Sequence, residues 1–357
     1  MKIIHCADIH LGSKIDSRLP REKAVIRRTE VLSSFGRMVD FAKREGVRAI
    51  LISGDLFDSD RPFKKDKEFF YGTVLDNPDI EFFYLRGNHD TKESYTVEGV
   101  ENLRCFSEEW TSYELDGVVI SGAEISEGNC ESLYTTISLD ESKKNIVMLH
   151  GALSDVFGRD LINLRALRSR GIDYLALGHI HKGGSGRIDD RGFFAYPGCL
   201  EGRGFDECGA KGFLLLDTDN LSCPSFIKGS LREICAEEID ISGTKNAYDA
   251  YSRVKSSLKL DKKNLLRLTL VGEVEFSDDR LAEVMEDYLS DSCFFVSVKD
   301  KTFAKEDLSA AADEISIKGE FLRLVLSSEL DEEEKKEIIS TGLSALSGRE
   351  VEVRGEA

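Results

Sequence analysis

The chain has 357 residues, 41% of them hydrophobic, which is enough for two domains with sizeable cores. Its net charge of −18 argues against a protein that coats nucleic acid by itself, because phosphate binding usually needs a clustered basic surface. No apolar run approaches transmembrane length, and the sequence does not open with a cleavable leader, so we expect a cytoplasmic protein with no membrane partner.

Five short runs predict strands, and each of them ends in a polar motif. The runs are residues 1–7, 48–53, 80–86, 145–149 and 173–177, and several are rich in Val, Ile, Phe and Tyr. Between the first two, apolar residues recur at helical spacing over residues 27–46, which predicts a β-α-β unit. If the strands are parallel, their carboxyl ends share one rim of a sheet, and the motifs converge there.

The polar motifs hold five of the six histidines of the chain. In order they are Asp8-x-His10, Gly54-Asp55, Gly87-Asn88-His89-Asp90, His150-Gly151 and Gly178-His179-x-His181. Oxygen and nitrogen ligands delivered by strand ends are typical of a site for two divalent metal ions. Mixed ligation favours manganese, with iron or zinc as alternatives, over calcium, which prefers oxygen alone. Such a pair of ions can clamp both oxygens of an in-line phosphoryl displacement, which predicts a phosphoesterase.

These motifs resemble those of the calcineurin-like metallophosphoesterases, whose pattern is D-x-H, G-D, G-N-H-D or E, H, and G-H-x-H. Within that superfamily the chain looks most like the SbcD-type DNA exonucleases, including the YhaO-like bacterial branch. Residues 1–12, 53–58 and 196–203 carry this second resemblance. It covers roughly the first two-thirds of the chain and is weak beyond.

The resemblance implies an α/β fold, a layered α/β/β/α sandwich followed by a smaller C-terminal α+β cap domain and a helical tail. It implies two metal-binding sets and one bridging carboxylate, namely Asp8, His10 and His181; Asn88, His150 and His179; and Asp55. It also makes His89 the catalytic acid, which protonates the leaving oxygen or stabilises the transition state.

Three further sets of residues are interpreted from their positions. Asp58 stands where archaeal and eukaryotic nucleases of the group typically carry His, and it either orients His89 or a metal-bound water, or is a solvated or capping carboxylate. His5 lies in the first predicted strand, which favours a buried or capping histidine. The eight cysteines form no C-x-x-C pair, so we expect reduced, mostly buried residues.

Basic residues cluster after the first two motifs, where loops should surround the metals. We expect these residues either to guide phosphates of a substrate or to be ordinary solvated charges, and the main candidates are Arg18, Arg27, Lys64 and Lys65. Arg203, in a glycine-flanked stretch, is a further candidate for a phosphate contact.

The rhythm of the sequence changes near residue 222. We therefore predict a phosphoesterase domain over 1–222, a capping domain over 223–304 and a helical tail over 305–357. The second segment shows a strand, helix, strand, helix, strand order, from about 233–241 to 294–298. In SbcD-like proteins a domain at this place caps the active site. The apolar positions of the tail either pack on the cap or receive a partner.

Three functions follow in order of preference. The resemblance implies a dinuclear metal-dependent DNA exonuclease or endonuclease that works in DNA repair with an SbcC-like SMC/ABC-type ATPase, and it favours a homodimer. The alternative is a phosphodiesterase or phosphatase for a small or protein substrate, favoured if the cap closes the site against duplex DNA. A non-catalytic scaffold comes last, because no ligand of the pattern is missing.

Overall fold

The structure, a computed structural model, describes residues 1–15, 19–91, 99–304 and 308–346. Its strands are β1 (Lys2–Cys6), β2 (Ala49–Ser53), β3 (Glu81–Leu85), β4 (Leu103–Cys105), β5 (Thr111–Leu115), β6 (Val118–Gly122), β7 (Lys144–His150), β8 (Ala152–Ser154), β9 (Leu161–Asn163), β10 (Tyr174–Gly178), β11 (Gly184–Arg187), β12 (Phe193–Tyr196), β13 (Gly212–Asp217), β14 (Asn220–Lys228), β15 (Ile234–Asp240), β16 (Leu265–Val271), β17 (Glu273–Val274), β18 (Phe295–Asp300) and β19 (Phe303–Ala304). Its helices are α1 (Arg21–Glu45), α2 (Lys64–Leu75), α3 (Leu133–Thr136), α4 (Ala247–Ser257), α5 (Leu281–Leu289), α6 (Leu308–Asp313), α7 (Ile317–Leu326) and α8 (Glu332–Leu346), with a 3-10 helix over Leu164–Leu167.

The first sheet has the strand order β14-β13-β1-β2-β3-β4. Strands β1 to β4 are parallel, while β13 runs antiparallel to β1 and β14 antiparallel to β13. The predicted β-α-β unit is confirmed, because α1 connects the parallel neighbours β1 and β2. Four parallel strands thus turn their carboxyl ends to one edge of this sheet.

Helix α1 ends where its sequence predicts an end. Gly46 adopts a left-handed conformation with φ of 66°, which lets its N–H cap the carbonyls of Ala42 and Lys43. The helix begins at Arg21, earlier than the apolar periodicity indicates, because Pro20 has no N–H to lose and stands just outside the first turn. Its buried face packs Phe35 and Met38 against the first sheet.

The second sheet has the order β11-β12-β10-β7-β6-β5, with four parallel strands in the middle and an antiparallel strand at each edge. Three of the motif-bearing strands, β1, β2 and β3, lie in the first sheet, and the other two, β7 and β10, lie in the second. The expectation of a single rim was therefore wrong. Two parallel sheets deliver the motifs instead.

The two sheets pack face to face over an apolar core. Alternation along β1 turns Ile3 toward the second sheet, where it joins Met148 and Ala176, and turns Ile4 toward α1 and α2. The outer face of the second sheet is covered by α3 and the 3-10 helix, whose Leu133 and Leu167 pack in one apolar cluster with the sheet. Helices, two sheets and an outer helical layer confirm the predicted layered α/β/β/α sandwich.

The chain divides into two compact units. The first comprises Met1–Glu237, Leu260–Leu268 and Glu286–Ser297, and the second comprises Glu238–Lys259, Thr269–Met285 and the described part of Val298–Ala357. The predicted order of strand, helix, strand, helix and strand is found as β15, α4, β16, α5 and β18. The predicted boundary between residues 222 and 223, however, falls inside β14, which is hydrogen-bonded to β13 in the first sheet. The first domain therefore extends past that point.

The tail forms the three short helices α6, α7 and α8, which pack on one another within the second unit. Leu322, Val325 and Ile339 form their small core. The Ser316 side chain caps α7 by accepting a hydrogen bond from the Gly319 N–H. Among the described residues, none of the helices is long and apolar enough to cross a bilayer.

Candidate metal centre

All five polar motifs meet where the ends of the two sheets come together. The Asp8 N–H donates to the Gly54 carbonyl at 3.1 Å, and the His10 N–H donates to the Asp55 carbonyl at 3.0 Å. His150, at the end of β7 in the second sheet, has its Nδ1 at 2.8 Å from the Ser53 carbonyl oxygen in the first. Main-chain hydrogen bonds thus join the motifs of the first sheet, and the His150 side chain ties the second sheet to them.

Four of the converging residues have strained backbones. Asp8, His10, Asp55 and His179 adopt positive φ values of 51°, 51°, 52° and 98°. Non-glycine residues in this region cost about 1–3 kcal/mol each, and such strain concentrates at functional sites. The turns make each side chain leave its strand end toward the common centre.

Two glycines allow the close approach. A Cβ atom at Gly54, where φ is 94°, would lie 2.0 Å from His150 Nδ1. A Cβ atom at Gly178 would lie 1.9 Å from the Ser53 carbonyl oxygen, which links the second sheet to the first. Any larger residue at either position would push the two sheet ends apart.

The first donor group consists of Asp8, His10 and His181, whose ligand atoms lie within 4.8 Å of one another. His10 Nε2 and His181 Nε2 are only 3.2 Å apart, and His181 Nε2 lies 3.9 Å from Asp8 Oδ1. Asp8 in turn accepts the His179 N–H at 3.0 Å. Two imidazole nitrogens directed at the same point as a carboxylate are an arrangement that a cation would satisfy.

The second donor group surrounds Asn88. Its side-chain oxygen lies 3.1 Å from His150 Nε2 and 3.0 Å from His179 Nδ1. Asp55 lies between the two groups, with Oδ2 at 3.5 Å from His150 Nε2 and 3.9 Å from His10 Nε2. The seven predicted ligands are therefore brought together, and Asp55 has the central place that a bridging carboxylate requires.

The buried groups at the centre shift one another's pKa values. Burial raises the pKa of Asp8 to about 6. Burial also acts to raise the pKa of Asp55, but contact with His150 outweighs it and holds that pKa below its usual range. His150 responds in the opposite sense, since burial lowers its pKa but Asp55 and Asp8 raise it to about 9. A proton on His150 thus offsets two buried carboxylates, a task that a divalent cation fulfils better while leaving His150 free to ligate.

The donor set fits two divalent metal ions of borderline character. It offers carboxylate, amide and imidazole donors together, which suits manganese, iron or zinc. His10 is buried and holds the neutral form that ligation requires, because burial lowers its pKa to about 4.

Asp90, the last residue of its motif, fixes the loops without facing the donor atoms. Its carboxylate accepts the N–H groups of Leu56, Phe57 and Gly87 at 3.0–3.2 Å. The Asp55 loop and the Asn88 loop are thereby clamped together. Burial, and then the nearby Asp55, raise the pKa of Asp90 to about 6.

Glu207 is a functional residue that the sequence did not reveal. Its Oε1 lies 2.7 Å from His181 Nδ1, which orients the imidazole with Nε2 toward His10. Glu207 also accepts hydrogen bonds from the Arg203 backbone N–H at 2.7 Å and from the Arg203 guanidinium at 2.9 Å. The only local signal is its place three residues after the glycine-flanked stretch Glu201–Gly204 that contains Arg203.

Arg203 and Asp58 belong to this outer layer of the site. Arg203 donates to Asp58 Oδ1 at 2.7 Å, and the same oxygen lies 3.1 Å from His10 Nδ1. Asp58 therefore contacts His10 and Arg203, and its ligand atom also groups with those of His10 and His89. The Arg203 guanidinium is paired with the carboxylates of Asp58 and Glu207, and its predicted phosphate contact stays a prediction.

His89 is exposed at the edge of the site. Its ring centroid lies 5.0 Å from that of His10, and its backbone N–H donates to Asp55 Oδ1 at 2.9 Å. It lines a cleft of about 520 Å³ together with Gly12, Lys14, Asp58, Ser59, Asp60, Phe63 and Asn88. A substrate in this cleft would meet the His89 side chain before the buried donors.

The predicted basic guides fare unequally. Arg27 is 1% exposed and bonds to Glu30, to Glu201 Oε1 at 3.0 Å and to the Gly202 carbonyl at 2.6 Å. The prediction of a phosphate contact at Arg27 was therefore wrong, because this guanidinium is buried and paired within the protein. Lys64 and Lys65 are exposed at the start of α2, and Arg18 lies outside the described residues.

His5 and the cysteines are not among the donors, although Cys199 Sγ lies 3.6 Å from the His181 carbonyl oxygen. His5 is fully buried between the sheets, with Nδ1 at 2.9 Å from the Tyr174 hydroxyl and Nε2 at 3.1 Å from the Leu177 carbonyl, which confirms a buried histidine. All eight cysteines are free. The expectation that most are buried was wrong, since only Cys6, Cys199 and Cys293 are.

Comparison with known proteins agrees with this geometry. Residues 1–183 match the calcineurin-like phosphoesterase family. The chain is 25% identical to the DNA double-strand break repair protein Mre11 of Sulfolobus acidocaldarius, over 94% of this chain and 96% of that protein. It is 30% identical to the uncharacterized metallophosphoesterase YhaO of Bacillus subtilis, over 76% and 72% of the two chains. It is 24% identical to the SbcD component of the nuclease SbcCD of Staphylococcus epidermidis, over 70% and 78%.

Proposed function

Because the chain belongs to the calcineurin-like phosphoesterase family, we propose that it is a dinuclear metal-dependent nuclease that hydrolyses phosphodiester bonds of DNA. The observation that carries the proposal is the meeting of Asp8, Asp55 and the donor histidines at one centre below an open cleft. Two relatives named for DNA double-strand break repair and for the SbcCD nuclease support DNA as the substrate.

The ligand sets follow the two donor groups. Asp8, His10 and His181 would hold one ion, Asn88, His150 and His179 the other, and Asp55 would bridge them. Manganese is the first choice, with iron or zinc as alternatives. When bound, the pair of cations supplies charge neutralisation and a clamp on the attacking and departing oxygens of the phosphodiester.

His89 is assigned the proton transfer. Its side chain is exposed to the cleft, whereas the assigned ligands His10 and His150 are buried. From this place it donates a proton to the departing oxygen or a hydrogen bond to the transition state, a contribution of typically about 10²–10⁴ in rate. Asp58 contacts His10 and Arg203, and its ligand atom lies within 4.8 Å of that of His89, which suits the predicted role of orienting His89.

Exposed apolar residues of the tail support the proposal that the chain binds an SbcC-like ATPase. The helices α7 and α8 bury one apolar set in their own core, yet Ile317 is 79% exposed and Leu324 is 64% exposed. An amphipathic helix pair with a second, solvent-facing apolar set suits docking on a partner helix. The homodimer, the capping role of the second domain and the cytoplasmic location remain predictions.

The test is an assay of the purified chain with manganese on linear duplex, single-stranded and hairpin DNA, beside bis(4-nitrophenyl) phosphate. We expect DNA cleavage that requires metal and is lost in Asp55→Asn but retained in Asp116→Asn, which removes an exposed carboxylate at a turn between β5 and β6. Hydrolysis of the small diester without any DNA cleavage would contradict the nuclease and favour the small-substrate alternative. Absence of both activities would contradict the enzyme.

A further inference from the structure

A second cleft adjoins the one that contains His89. Its volume is about 530 Å³, and it shares Gly12, Lys14 and Phe63 with the first cleft. Its remaining walls come from the exposed side of α1 and the first turn of α2, namely Val25, Arg28, Thr29, Leu32, Lys65 and Asp66. The two clefts therefore form a continuous path that leads from the metal centre across α1. We call the second cleft the side groove.

Two large apolar side chains of the side groove are exposed. Phe63 is 58% exposed and Val25 is 52% exposed, and both face the same depression. Phe63 precedes the first residue of α2 and has an extended backbone, which carries its ring away from the helix core. A phenylalanine face held at the edge of a groove is a stacking surface for a planar ring.

The charges along the path are sorted by position. Lys14, Arg28 and Lys65 lie in the side groove, with Lys65 Nζ 5.8 Å from the centroid of the Phe63 ring. Arg28 donates two hydrogen bonds to the Lys14 carbonyl, at 2.9 and 3.0 Å, which fixes its guanidinium over the loop. In a chain of net charge −18, three cations in the groove that Phe63 also lines form a local basic cluster.

The acidic groups do not cancel this local charge. Asp66 is 1% exposed, and its Oδ2 lies under Gly12, where a Cβ atom would come within 2.6 Å of it. Burial raises the pKa of Asp66. Asp58 and Asp60 lie in the other cleft, toward the metal centre.

We propose that the side groove binds a single-stranded DNA segment next to the bond that is cut, with one base stacked on Phe63 and phosphates on Lys14, Arg28 and Lys65. The inference rests on the proposed nuclease and adds that the substrate reaches the centre as an unpaired strand. A cleft of this size takes a ligand of one or two nucleotides rather than a length of duplex. Stacking is independent of sequence, since every base has a flat face.

Phe63→Ser and Phe63→Trp test the stacking. Serine is a favoured residue at the position before a helix, so the variant should fold. For a single-stranded oligonucleotide we expect its KM to rise about fivefold or more, the loss typical of one stacked base, and to rise by clearly less for bis(4-nitrophenyl) phosphate. Phe63→Trp keeps an aromatic ring at this position and should keep the wild-type KM for the oligonucleotide. Phe226→Ser, which alters another exposed phenylalanine on β14, is the matched control.

Lys14→Gln and Lys65→Gln test the phosphate contacts. Each should flatten the dependence of log KM on log salt concentration by about 0.7, the slope of one phosphate contact on a single strand. An oligonucleotide containing 2-aminopurine gives a second readout, because its fluorescence changes when the base leaves its neighbours and stacks on an aromatic side chain. The fluorescence should change on binding to the wild type and to Phe63→Trp, and this change should be lost in Phe63→Ser.

The outcomes separate the two proposals. If the wild type cleaves DNA and Phe63→Ser loses no more on the oligonucleotide than on the small diester, the side groove is overturned and the nuclease stands. If the wild type cleaves no DNA, the nuclease fails, and the fluorescence experiment still decides the side groove. An equal change in fluorescence with the wild type and with Phe63→Ser overturns the inference in either case.

Discussion

Replacing Glu207 with Gln should weaken metal binding while leaving the fold intact. The Glu207 carboxylate lies 2.7 Å from His181 Nδ1, and the Arg203 guanidinium lies 3.2 Å from the same nitrogen. Burial acts to raise the pKa of Glu207, but His181 and Arg203 hold it below the usual range, so the carboxylate is ionised at neutral pH. It both orients the His181 ring and offsets the positive charge behind it.

The magnitude follows from these two roles. Loss of the partner of a metal-ligating histidine typically costs about 10–100-fold in metal affinity, which is about 1.4–2.8 kcal/mol. Glutamine keeps the size of the side chain and one hydrogen bond, but it removes the charge. Because Arg203 then keeps only Asp58 as a counter-charge beside His181, we expect a loss near the upper limit, about 100-fold, for the ion assigned to His10 and His181.

The assay is calorimetric titration of manganese into the metal-free protein, beside a thermal melt. Asp206→Asn is the matched control, since it removes an equal charge from an exposed neighbour one residue away. We expect Glu207→Gln to lose affinity at one of two sites and to melt like the control. An affinity within twofold of wild type, or a melting temperature that falls in step with the affinity, would refute the positioning role.

Asp55→Asn should lower metal content and turnover together, because an amide is a poor bridge, and wild-type values of both would exclude the bridge. His89→Ala should lower kcat about 10²–10⁴-fold with metal retained, and metal loss would make His89 a ligand. Leu324→Glu, on the exposed tail face, should weaken binding of an SbcC-like ATPase without changing the melting temperature. Leu322→Ala, at a buried position, should instead lower the free energy of unfolding by about 2–5 kcal/mol. Undiminished ATPase binding by Leu324→Glu would contradict docking there. Burial lowers the pKa of His5 from 6.5 to about 3, so below pH 6.5 the unfolded state binds a proton that the folded state does not. The free energy of unfolding should therefore fall by about 1.4 kcal/mol per pH unit below pH 6.5. His5→Phe should flatten that slope, and an unchanged slope would contradict the role of His5.

The donor residues that meet at the centre could be predicted from sequence because each follows a local pattern. An apolar run and a polar motif at its end specify a strand and a side chain at the strand terminus, and this held from Asp8 to His181. The pattern does not say which sheet a strand joins. That depends on pairing between distant segments, so the division of β1 and β7 between two sheets could not be anticipated.

Contacts between distant residues explain the other differences. Glu207 acts through a histidine 26 positions earlier, and Arg27 is buried by Glu201, which lies 174 positions away. Neither partner is visible in local composition. The sequence therefore predicts for Arg27 either a phosphate-guiding residue or a solvated charge, and not a buried ion pair. The strand β14 was missed because its side chains are mostly exposed or half-buried and lack a clear apolar run.

Anomalous diffraction at the manganese edge, from crystals of the chain grown with manganese, would test the central claim most directly. Two peaks about 3.5–4 Å apart are predicted, one contacted by Asp8, His10 and His181 and the other by Asn88, His150 and His179, with Asp55 touching both. A single peak, or two peaks that Asp55 does not join, would contradict the dinuclear centre.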